Sequence, residues 1–375
     1  MKDPIYIIAD NIISPLGNTT QENFLHISDG KSSIQEYQHP QIGKYFASCF
    51  ASDQYHFTDY SSKAFTPIEA LIIDSIQQLL SQISIQVGSR EVLFVFSTTK
   101  GNINLLGHDT FDKSRMRLSV MAKTITEYFN NPNEPVVVSN ACISGLQAIQ
   151  YACFALSQEK YKYVIVSGAD MVSDFVLAGF NSFQALSPFP CTPFDKNRAG
   201  LSLGEGAGSL LLSTELPLAE CIEIASIASS NDANHLSGPS RTGEGLSNAI
   251  HNALHLSGNK GEDIDLISSH GTATIYNDEM ESLAFQTAGL LSAPVHSIKG
   301  NLGHTLGAAG LIETVLLAAC MRNNQLLPSY GYKEQGTSVN LNIIKESKKA
   351  TIRKALKTAS GFGGGNTAVV LKKAI

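Results

Sequence analysis

The chain of 375 residues lacks tryptophan and is poor in aromatic, charged and cysteine residues. Charged side chains make up 16% of the sequence, and no block of like charges interrupts it. The net charge of −6 argues against nucleic acid as the main partner, because phosphate binding needs a basic surface. The six cysteines show no CxxC spacing and no dense framework, which argues against a disulfide scaffold and favours reduced thiols.

Long apolar runs are absent as well. The first residues, MKDPIYIIADNIISPLG, form a short apolar run that carries Asp10 and is broken by Pro15 and Gly17, unlike a signal peptide. The longest apolar stretch of the C-terminal half, residues 311–320, contains Glu313 and is far shorter than a membrane span. We therefore expect a soluble cytoplasmic protein without membrane insertion.

Motifs of several common enzyme classes are also missing. The one GxSxG match, GLSLG at 200–204, is followed by the glycine-rich GEGAG and an apolar strand rather than by the helix of a serine-hydrolase elbow. The sequence has no GxxxxGK phosphate loop, and its segments GEGAG and FGGGN run into strands rather than helices. One pair of histidines, His251 and His255 in IHNALHL, has the i, i+4 spacing of two ligands on one helix, but the pair lacks the HExxH pattern of a zinc site. The sequence thus predicts neither a phosphate cradle nor a metal site.

An internal repeat is what the sequence does contain. Apolar strands begin both halves (IYIIA at 5–9, CIEIASI at 221–227), and each half reaches a strand that turns into a small-residue helix (136–152 and 295–319). A glycine-rich turn and a last apolar strand then follow in each half. Continuous apolar runs are typical of buried parallel strands, so the pattern predicts a duplicated α/β unit with halves 1–217 and 218–375. The first half is longer, and we expect residues 38–121 to lie outside the repeat as a cap or oligomer contact.

Cys142 is the candidate nucleophile. It lies where strand VVVSN meets helix ISGLQAIQYA, and the positive end of a helix stabilises a thiolate. Gly145 is expected to let the turn close and to leave room for an acyl chain. Taken alone, a cysteine in such a segment is more often a small buried hydrophobic residue.

Two histidines and a lysine support the catalytic interpretation. His270 follows a predicted strand in DLISSHGTATIYNDEMES, and His304 lies among small residues in SIKGNLGHTLGAAG. Each could instead be a satisfied structural side chain. Lys299 ends an apolar strand, where an ammonium needs a carboxylate partner, and Glu281 or Asp278 are the candidates.

Taken together and in this order, these motifs resemble the β-ketoacyl-acyl-carrier-protein synthases, decarboxylating condensing enzymes of the thiolase superfamily. The resemblance rests on the Cys142 elbow, HGTAT, KGNLGHTLGAAG and the terminal GFGGGN, and it extends to ISPLGNTTQENFLHISDGKSSI and PFDKNRAGLSLGEGAG. It implies a thiolase-like duplicated five-layer α/β/α/β/α sandwich, usually dimeric. It also implies an acyltransferase that forms carbon–carbon bonds in fatty-acid or polyketide and aryl-polyene-type biosynthesis.

The resemblance assigns a role to each candidate residue. Cys142 would take an acyl chain from the phosphopantetheine arm of acyl carrier protein, with no bound cofactor. The backbone N–H groups of Cys142 and Phe362 would form the oxyanion hole, and Phe362 would also be the gating residue. His270 and His304 would stabilise the enolate formed from malonyl carrier protein, so His304→Ala is expected to load but not to condense.

Lys299, by the same resemblance, would pair with Glu281 and order the site. The acidic carrier protein would dock on basic residues, for which the candidates are Arg198, Lys63, Lys113, Arg115 and Arg117; Arg198 resembles a family docking position. Scattered solvated charges are an equally plain interpretation of the other four. The working unit would be a homodimer or a heterodimer with a ketosynthase-like subunit.

The sequence also departs from the family pattern. NACISG places Ile143 and Ser144 beside the nucleophile, Ser360 stands where many members have an aromatic residue, and Gly365 where threonine is usual. These changes leave open a non-catalytic chain-length-factor-like subunit, although such subunits usually lack the nucleophile. A coenzyme A-dependent thiolase is disfavoured, because it would need a second cysteine near the C-terminus and none follows Cys320.

Overall fold

The computed structural model describes residues 3–51, 65–107, 111–216, 221–232 and 238–374. Within these residues the strands are β1 (Tyr6–Ile13), β2 (Gln35–His39), β3 (Gly43–Ser48), β4 (Val92–Ser97), β5 (Val136–Val138), β6 (Tyr163–Asp170), β7 (Leu203–Gly204), β8 (Gly206–Ser213), β9 (Cys221–Asn231), β10 (Leu266–Ser268), β11 (Pro294–His296), β12 (Gln325–Leu326), β13 (Asn342–Ile343), β14 (Lys348–Lys349), β15 (Lys354–Gly361) and β16 (Gly365–Ala374). The α-helices are α1 (Thr20–Ser28), α2 (Pro67–Leu80), α3 (Leu118–Tyr128), α4 (Ser144–Ser157), α5 (Asp174–Ser182), α6 (Glu244–Leu256), α7 (Ile275–Thr287), α8 (Lys299–Leu302) and α9 (Ala309–Asn323).

The main sheet repeats one strand order twice. Its order is β13-β11-β10-β15-β16-β9-β1-β8-β6-β4-β5, and β1 and β9 join the two parts through Tyr6–Glu223 and Ile7–Ile222. On one side β1-β8-β6-β4-β5 has two antiparallel pairings followed by two parallel ones. On the other side β9-β16-β15-β10-β11 has the same pairings in the same order. The duplication predicted from the sequence is therefore visible in the strand topology.

Five layers follow from where the apolar faces meet. Helices α4 and α9 lie against each other between the two half-sheets, within the largest core cluster. Helices α2 and α3 cover the outer face of the first half-sheet, and α6 and α7 cover the second. The central helix α9 is buried from Ala309 to Met321, which explains why it is apolar on every side. The predicted five-layer α/β/α/β/α sandwich is confirmed.

The prediction that residues 38–121 lie outside the repeat is wrong for residues 67–97. Strand β4 is an inner strand of the first half-sheet, and α2 packs on its outer face. The start of α2 even carries local signals in the sequence, since Thr66 and Glu69 form a capping box around Pro67. The β2–β3 hairpin, by contrast, pairs with β7 in a small separate sheet.

One helical stretch, Leu306–Asn323, is long and apolar enough to cross a membrane by length and composition. It is 89% buried inside the fold, between the half-sheets. In the described part of the chain, this stretch has the position of a core helix.

Candidate active site

The turn between β5 and α4 places Cys142 at the bottom of a cleft. Ala141 has a φ of +44°, a strained value for a residue with a side chain, and Cys142 follows it just before the helix. The Ser144 hydroxyl donates to the carbonyl of Ala141 (2.6 Å) and accepts the backbone N–H of Asn140 (2.8 Å). These bonds fix the sharp turn, and Cys142 is 7% exposed.

Gly145 allows the two central helices, α4 and α9, to pack closely against each other. A Cβ atom at this position would lie 2.6 Å from the backbone nitrogen of Leu311 in α9 and 3.1 Å from the carbonyl oxygen of Gly307. A Cβ at Gly310 would in turn lie 2.9 Å from Leu146. Gly145 thus lets α4 and α9 approach closely, and the expectation that it leaves room for an acyl chain is wrong because its open side is filled by α9.

The structure brings Cys142, His270 and His304 together. His304 Nε2 lies 3.0 Å from Cys142 Sγ, and the two imidazole rings are edge to face with centroids 5.3 Å apart. One ligand-type atom from each residue lies within 4.8 Å of the others. All three residues line a cavity of about 270 Å³, whose wall also includes Phe183 and Tyr276.

The same three side chains are also of the types that bind zinc. Their proximity could not be detected from spacing in the sequence, because they come from distant segments. The ammonium of Lys299 lies 3.4 Å from Nδ1 of His270, however. A cation bound by the three side chains would be repelled by that charge. A thiol nucleophile with two neutral imidazoles suits this environment better.

Burial keeps all three groups neutral. Desolvation raises the pKa of the Cys142 thiol to about 12, and the nearby Lys299 charge opposes this only in part. Desolvation, followed by the charge of Lys299, holds the pKa values of His270 and His304 well below that of free histidine. The expected stabilisation of a thiolate at the helix start is therefore outweighed by burial, and the thiol needs a base when it reacts. His304 is in position to be that base.

The carboxylate partner of Lys299 is Glu313, so the expected pairing with Glu281 is wrong. Lys299 Nζ lies 2.5 Å from Oε1 of Glu313 in α9 and also donates to the carbonyl oxygen of His270 at 2.5 Å. Glu281 instead accepts the backbone N–H groups of His270 (2.8 Å) and Gly271 (2.6 Å). Glu281 thus orders the loop that carries His270, without touching the lysine.

Asp278 and Asp170 hold other loops of the site in a similar way. Asp278 accepts the backbone N–H groups of Phe194 (2.7 Å) and Thr272 (3.0 Å). Asp170, at the end of β6, accepts the N–H groups of Thr99 and Gly307. Burial raises the pKa of both carboxyl groups, to about 7 for Asp278. Asp170 and Glu313 were not predicted, although a lone acid inside an apolar segment is the signal that could have found them.

Phe362 lies in the glycine-rich turn between β15 and β16, at the cavity. Its ring is 38% exposed, with its centroid 5.9 Å from that of Phe180 and 5.3 Å from that of Phe183. A Cβ at the preceding Gly361 would lie 3.1 Å from the backbone nitrogen of Cys142, so the turn packs directly on the elbow. This packing places the turn that carries Phe362 beside Cys142.

Two departures from the family pattern compensate each other. A Cβ at Gly365 would lie 2.5 Å from Cδ1 of Ile143, so the isoleucine fills the space that a side chain at Gly365 would need. Ser360, another departure, donates its hydroxyl to Oδ1 of Asn366 (2.7 Å). Asn366 in turn donates to the carbonyl oxygen of Gly364, which braces the turn. The divergent residues thus form a consistent local packing.

The predicted docking residues are not equivalent in the structure. Arg198 is 8% exposed and donates to the carbonyl oxygens of Gly336 (2.6 Å) and Asp195 (3.0 Å), so its expected role as a surface contact is wrong because the guanidinium is buried in loop contacts. Arg115 forms an ion pair with the buried Glu69. Among the other candidates, Lys113 and Arg117 are exposed, and Lys63 lies outside the described residues.

Two family models match the chain. The β-ketoacyl synthase N-terminal domain matches residues 101–217, and the β-ketoacyl synthase C-terminal domain matches residues 221–333. The first match contains the elbow with Cys142, and the second contains both histidines and Lys299. Of the residues that line the cavity, only those around the Phe362 turn (360–366) lie outside the matched segments.

Individual relatives agree with these models. "Putative polyketide beta-ketoacyl synthase 1" of Streptomyces halstedii is 32% identical over 270 residues, which cover 68% of this chain and 64% of the relative. "3-oxoacyl-(acyl-carrier-protein) synthase 2" of Vibrio cholerae is 26% identical over 415 residues, covering 99% of both chains. A chain in the solved complex of the ketosynthase ApeO with its chain length factor ApeC from Xenorhabdus doucetiae has a TM-score of 0.90 at 25% identity, covering 100% of this chain and 98% of that one.

The chain thus spans less than two thirds of the length of the Streptomyces halstedii relative, whereas the fold is matched throughout. The duplicated topology, the elbow cysteine and the paired histidines agree with both family models. On this evidence the chain belongs to the β-ketoacyl synthase family of the thiolase superfamily.

Proposed function

We propose that this protein is a decarboxylating condensing enzyme, which carries an acyl chain on Cys142 and joins it to a malonyl unit held on acyl carrier protein. The observation that carries the proposal is the contact of 3.0 Å between Cys142 Sγ and His304 Nε2, with His270 beside them in one buried cavity. A neutral thiol beside a neutral imidazole can react as a nucleophile, with the imidazole as the base that takes its proton.

In the first half-reaction, the Cys142 thiol passes its proton to His304 Nε2 while the sulfur attacks the carbonyl carbon of an acyl thioester. The bond between that carbon and the phosphopantetheine sulfur breaks, and the departing thiolate takes up the proton. Because burial raises the pKa of the thiol to about 12, the proton must move as the new bond forms. The product is an acyl group in thioester linkage to Cys142.

In the second half-reaction, the malonyl thioester loses carbon dioxide, and the electron pair of the broken bond forms an enolate. The N–H of His270 donates to the enolate oxygen, and His304 donates as well once its ring proton has moved from Nδ1 to Nε2. The carbanion then attacks the acyl carbonyl and releases the Cys142 sulfur as a thiolate, which takes a proton from water. Lys299 next to Nδ1 of His270 makes that nitrogen an acceptor, so the ring proton lies on Nε2. Neutral donors suffice, because decarboxylation itself supplies the electrons.

The oxyanion of the acyl carbonyl would be bound by the backbone N–H groups of Cys142 and Phe362. Support comes from the packing of Gly361 against the nitrogen of Cys142. Each such donor typically contributes about 3 kcal/mol to the transition state. The partly exposed Phe362 ring, which packs beside the rings of Phe180 and Phe183, would move to admit the second carrier arm.

Carrier protein and a second ketosynthase-like subunit are the proposed partners. One solved relative is a ketosynthase in complex with its chain length factor, and the similar chain covers the whole of this one. The main sheet ends in the short edge strand β5, whose three residues are only partly buried. An open sheet edge beside the nucleophile elbow suits pairing with a second, related subunit.

A non-catalytic chain-length-factor-like subunit is the second candidate, because structural neighbours include such complexes. The intact geometry of Cys142 and His304 argues against it. Loss of selection for catalysis would not preserve a 3.0 Å contact between side chains from two separate elbows. The experiment below separates the two functions.

The test is intact-mass measurement after incubation with acyl carrier proteins charged with chains of several lengths, followed by malonyl carrier protein. The expected result is an acyl adduct on the wild type, which is consumed when malonyl carrier is added. Cys142→Ala should form no adduct, whereas a variant of the buried cysteine in the following helix α4, Cys153→Ala, should load normally. An unmodified wild type with every donor, in the presence of its partner subunit, would support the non-catalytic function instead.

A further inference from the structure

A second lysine lies beneath the site, and no motif or resemblance assigned it a role. Lys357 is in β15, and its side chain is fully buried. Its ammonium donates to the carbonyl oxygens of Ser268 and Ser269, each at 3.1 Å, and lies 2.8 Å from Oε2 of Glu313. A fully buried ammonium costs much free energy unless charges and carbonyl groups surround it, as they do here.

We propose that Lys357 is a positioning residue: it shares Glu313 with Lys299 and holds the strand end that carries His270. The proposal deepens the function given above, since it concerns how this site presents His270 to the enolate. It goes beyond the family lysine, because Lys299 alone accounts for the role that the resemblance assigns.

The two lysines bind three consecutive carbonyl groups. Lys357 binds those of Ser268 and Ser269, and Lys299 binds that of His270. From the opposite side, Glu281 accepts the N–H of His270. The backbone around His270 is therefore held by ammonium groups on its carbonyl side and by a carboxylate on its amide side.

Glu313 joins the two ammonium groups into one unit. Lys299 Nζ lies 2.5 Å from one carboxylate oxygen and Lys357 Nζ lies 2.8 Å from the other. A single carboxylate bridging two buried cations fixes their separation. The register of β15 against β10 then sets where the unit lies relative to His270, because Lys357 pairs with Ser268 in that sheet.

The charges around the unit balance only when Lys357 is counted. The described titratable groups that interact with Lys357 or with the imidazoles are Glu313, Glu281, Lys299, His296, His270, His304 and Cys142. Two carboxylates face two ammonium groups, with three histidines whose pKa values burial lowers. Lys357 also contributes to lowering the pKa values of His270 and His304.

Replacement of Lys357 by methionine tests the proposal, because it keeps the length of the side chain and removes the charge and the donors. Lys354→Met is the matched control: this lysine is on the same strand, but its side chain is 36% exposed and pairs with Asp263 at the surface. Lys357→Gln keeps a donor for one carbonyl group without the charge. Circular dichroism and thermal melts show which variants are folded.

Two readouts are needed. The first is single-turnover condensation of enzyme already acylated on Cys142, for which we expect Lys357→Met to be about 10- to 100-fold slower, Lys357→Gln to be intermediate and Lys354→Met to equal the wild type. Loading of Cys142 should change much less in all three. The second is nuclear magnetic resonance of ¹⁵N-labelled histidines, with the signal of His270 assigned by its loss in His270→Asn.

The second readout does not depend on catalysis, so it separates failure of this proposal from failure of the proposed function. In the wild type the His270 imidazole should stay neutral at every pH at which the protein is folded. In Lys357→Met its titration should move to higher pH and its chemical shift should change, whereas Lys354→Met should leave both unchanged. If Lys357→Met does not fold, Lys357→Gln carries the same test. A folded variant with an unmoved His270 signal and wild-type condensation would overturn the proposal.

Discussion

His304 Nε2 lies 3.0 Å from Cys142 Sγ although 162 residues separate the two in the chain. Each follows the elbow of a different half, and the two elbow helices α4 and α9 pack against each other at Gly145 and Gly310. The duplicated fold thus explains the site: two equivalent strand-to-helix turns meet at the centre of the molecule. In the proposed mechanism, one turn supplies the nucleophile and the other supplies its base.

This contact changes the expectation for loading of the acyl chain. Because the thiol is neutral and His304 is its nearest base, His304→Ala should still load Cys142, as the resemblance implies, but about 10- to 100-fold more slowly than the wild type. His270→Ala should load within about threefold of the wild type, because its ring does not accept the thiol proton. Stopped-flow release of carrier thiol measures both rates, and equal loading by His304→Ala would show that another base acts.

The high pKa of Cys142 predicts an unusual pH profile for alkylation. A thiol whose pKa is raised by burial has less thiolate at a given pH than a free thiol, so its alkylation continues to rise with pH where a free thiol begins to level off near pH 9. At pH 8 we expect iodoacetamide to modify Cys142 at least about tenfold more slowly than N-acetylcysteine. Mass spectrometry of the peptide measures the rate, with Cys142→Ala as the blank. A plateau between pH 6 and 8 would show instead that the helix start stabilises a thiolate.

Gly145→Ala tests the packing of the two elbow helices. The added methyl group would meet the backbone of Leu311 at 2.6 Å, so we expect a loss of about 1–3 kcal/mol in the free energy of unfolding and a lower melting temperature. Gly179→Ala in α5 is the control, because nothing lies within 4 Å of a Cβ there. That variant should be as stable as the wild type or slightly more so. Equal stability of the two variants would mean that α4 and α9 lie farther apart.

Arg117 is the best remaining candidate for carrier docking, because it is exposed while Arg198 is buried. Arg117→Glu should lower kcat/KM for acyl carrier protein several-fold at low ionic strength, and the effect should shrink as salt rises. The same variant should use a short pantetheine thioester as well as the wild type does, since no protein surface is then recognised. Equal kcat/KM values for the carrier substrate at low salt would exclude this residue from the docking surface.

Much of this molecule could be predicted from local sequence. The elbows, the buried strands and the three reacting side chains lie in short segments whose small residues and apolar runs show their structure directly. The carboxylate partner of Lys299 could not be found this way. The packing of α9 and α7 decides whether Glu313 or Glu281 reaches the lysine, and the spacing of residues in the sequence does not reveal that packing. The burial of Arg198 and the position of Lys357 likewise depend on contacts between distant loops and strands.

The wrong prediction that α2 and β4 lie outside the repeat has a similar cause. The helix α2 and the strand β4 lie in a part of the first half that is longer than its counterpart, and the extra length hid two repeated elements among added ones. The capping box at Thr66 and the run VLFVFS of β4 were visible in the sequence. What was missing was the alignment of the two halves, which the strand order supplies.

Single-turnover condensation measures the central claim most directly, namely that Cys142, His270 and His304 work as one unit. Wild type, His270→Ala, His304→Ala and the double variant are each acylated to completion, checked by intact mass, and mixed with malonyl carrier protein. Residues that act as one unit are non-additive, so each single variant should lose at least about 100-fold in the rate of β-ketoacyl product formation and the double variant little more. Product formation at the wild-type rate by either single variant would contradict the account.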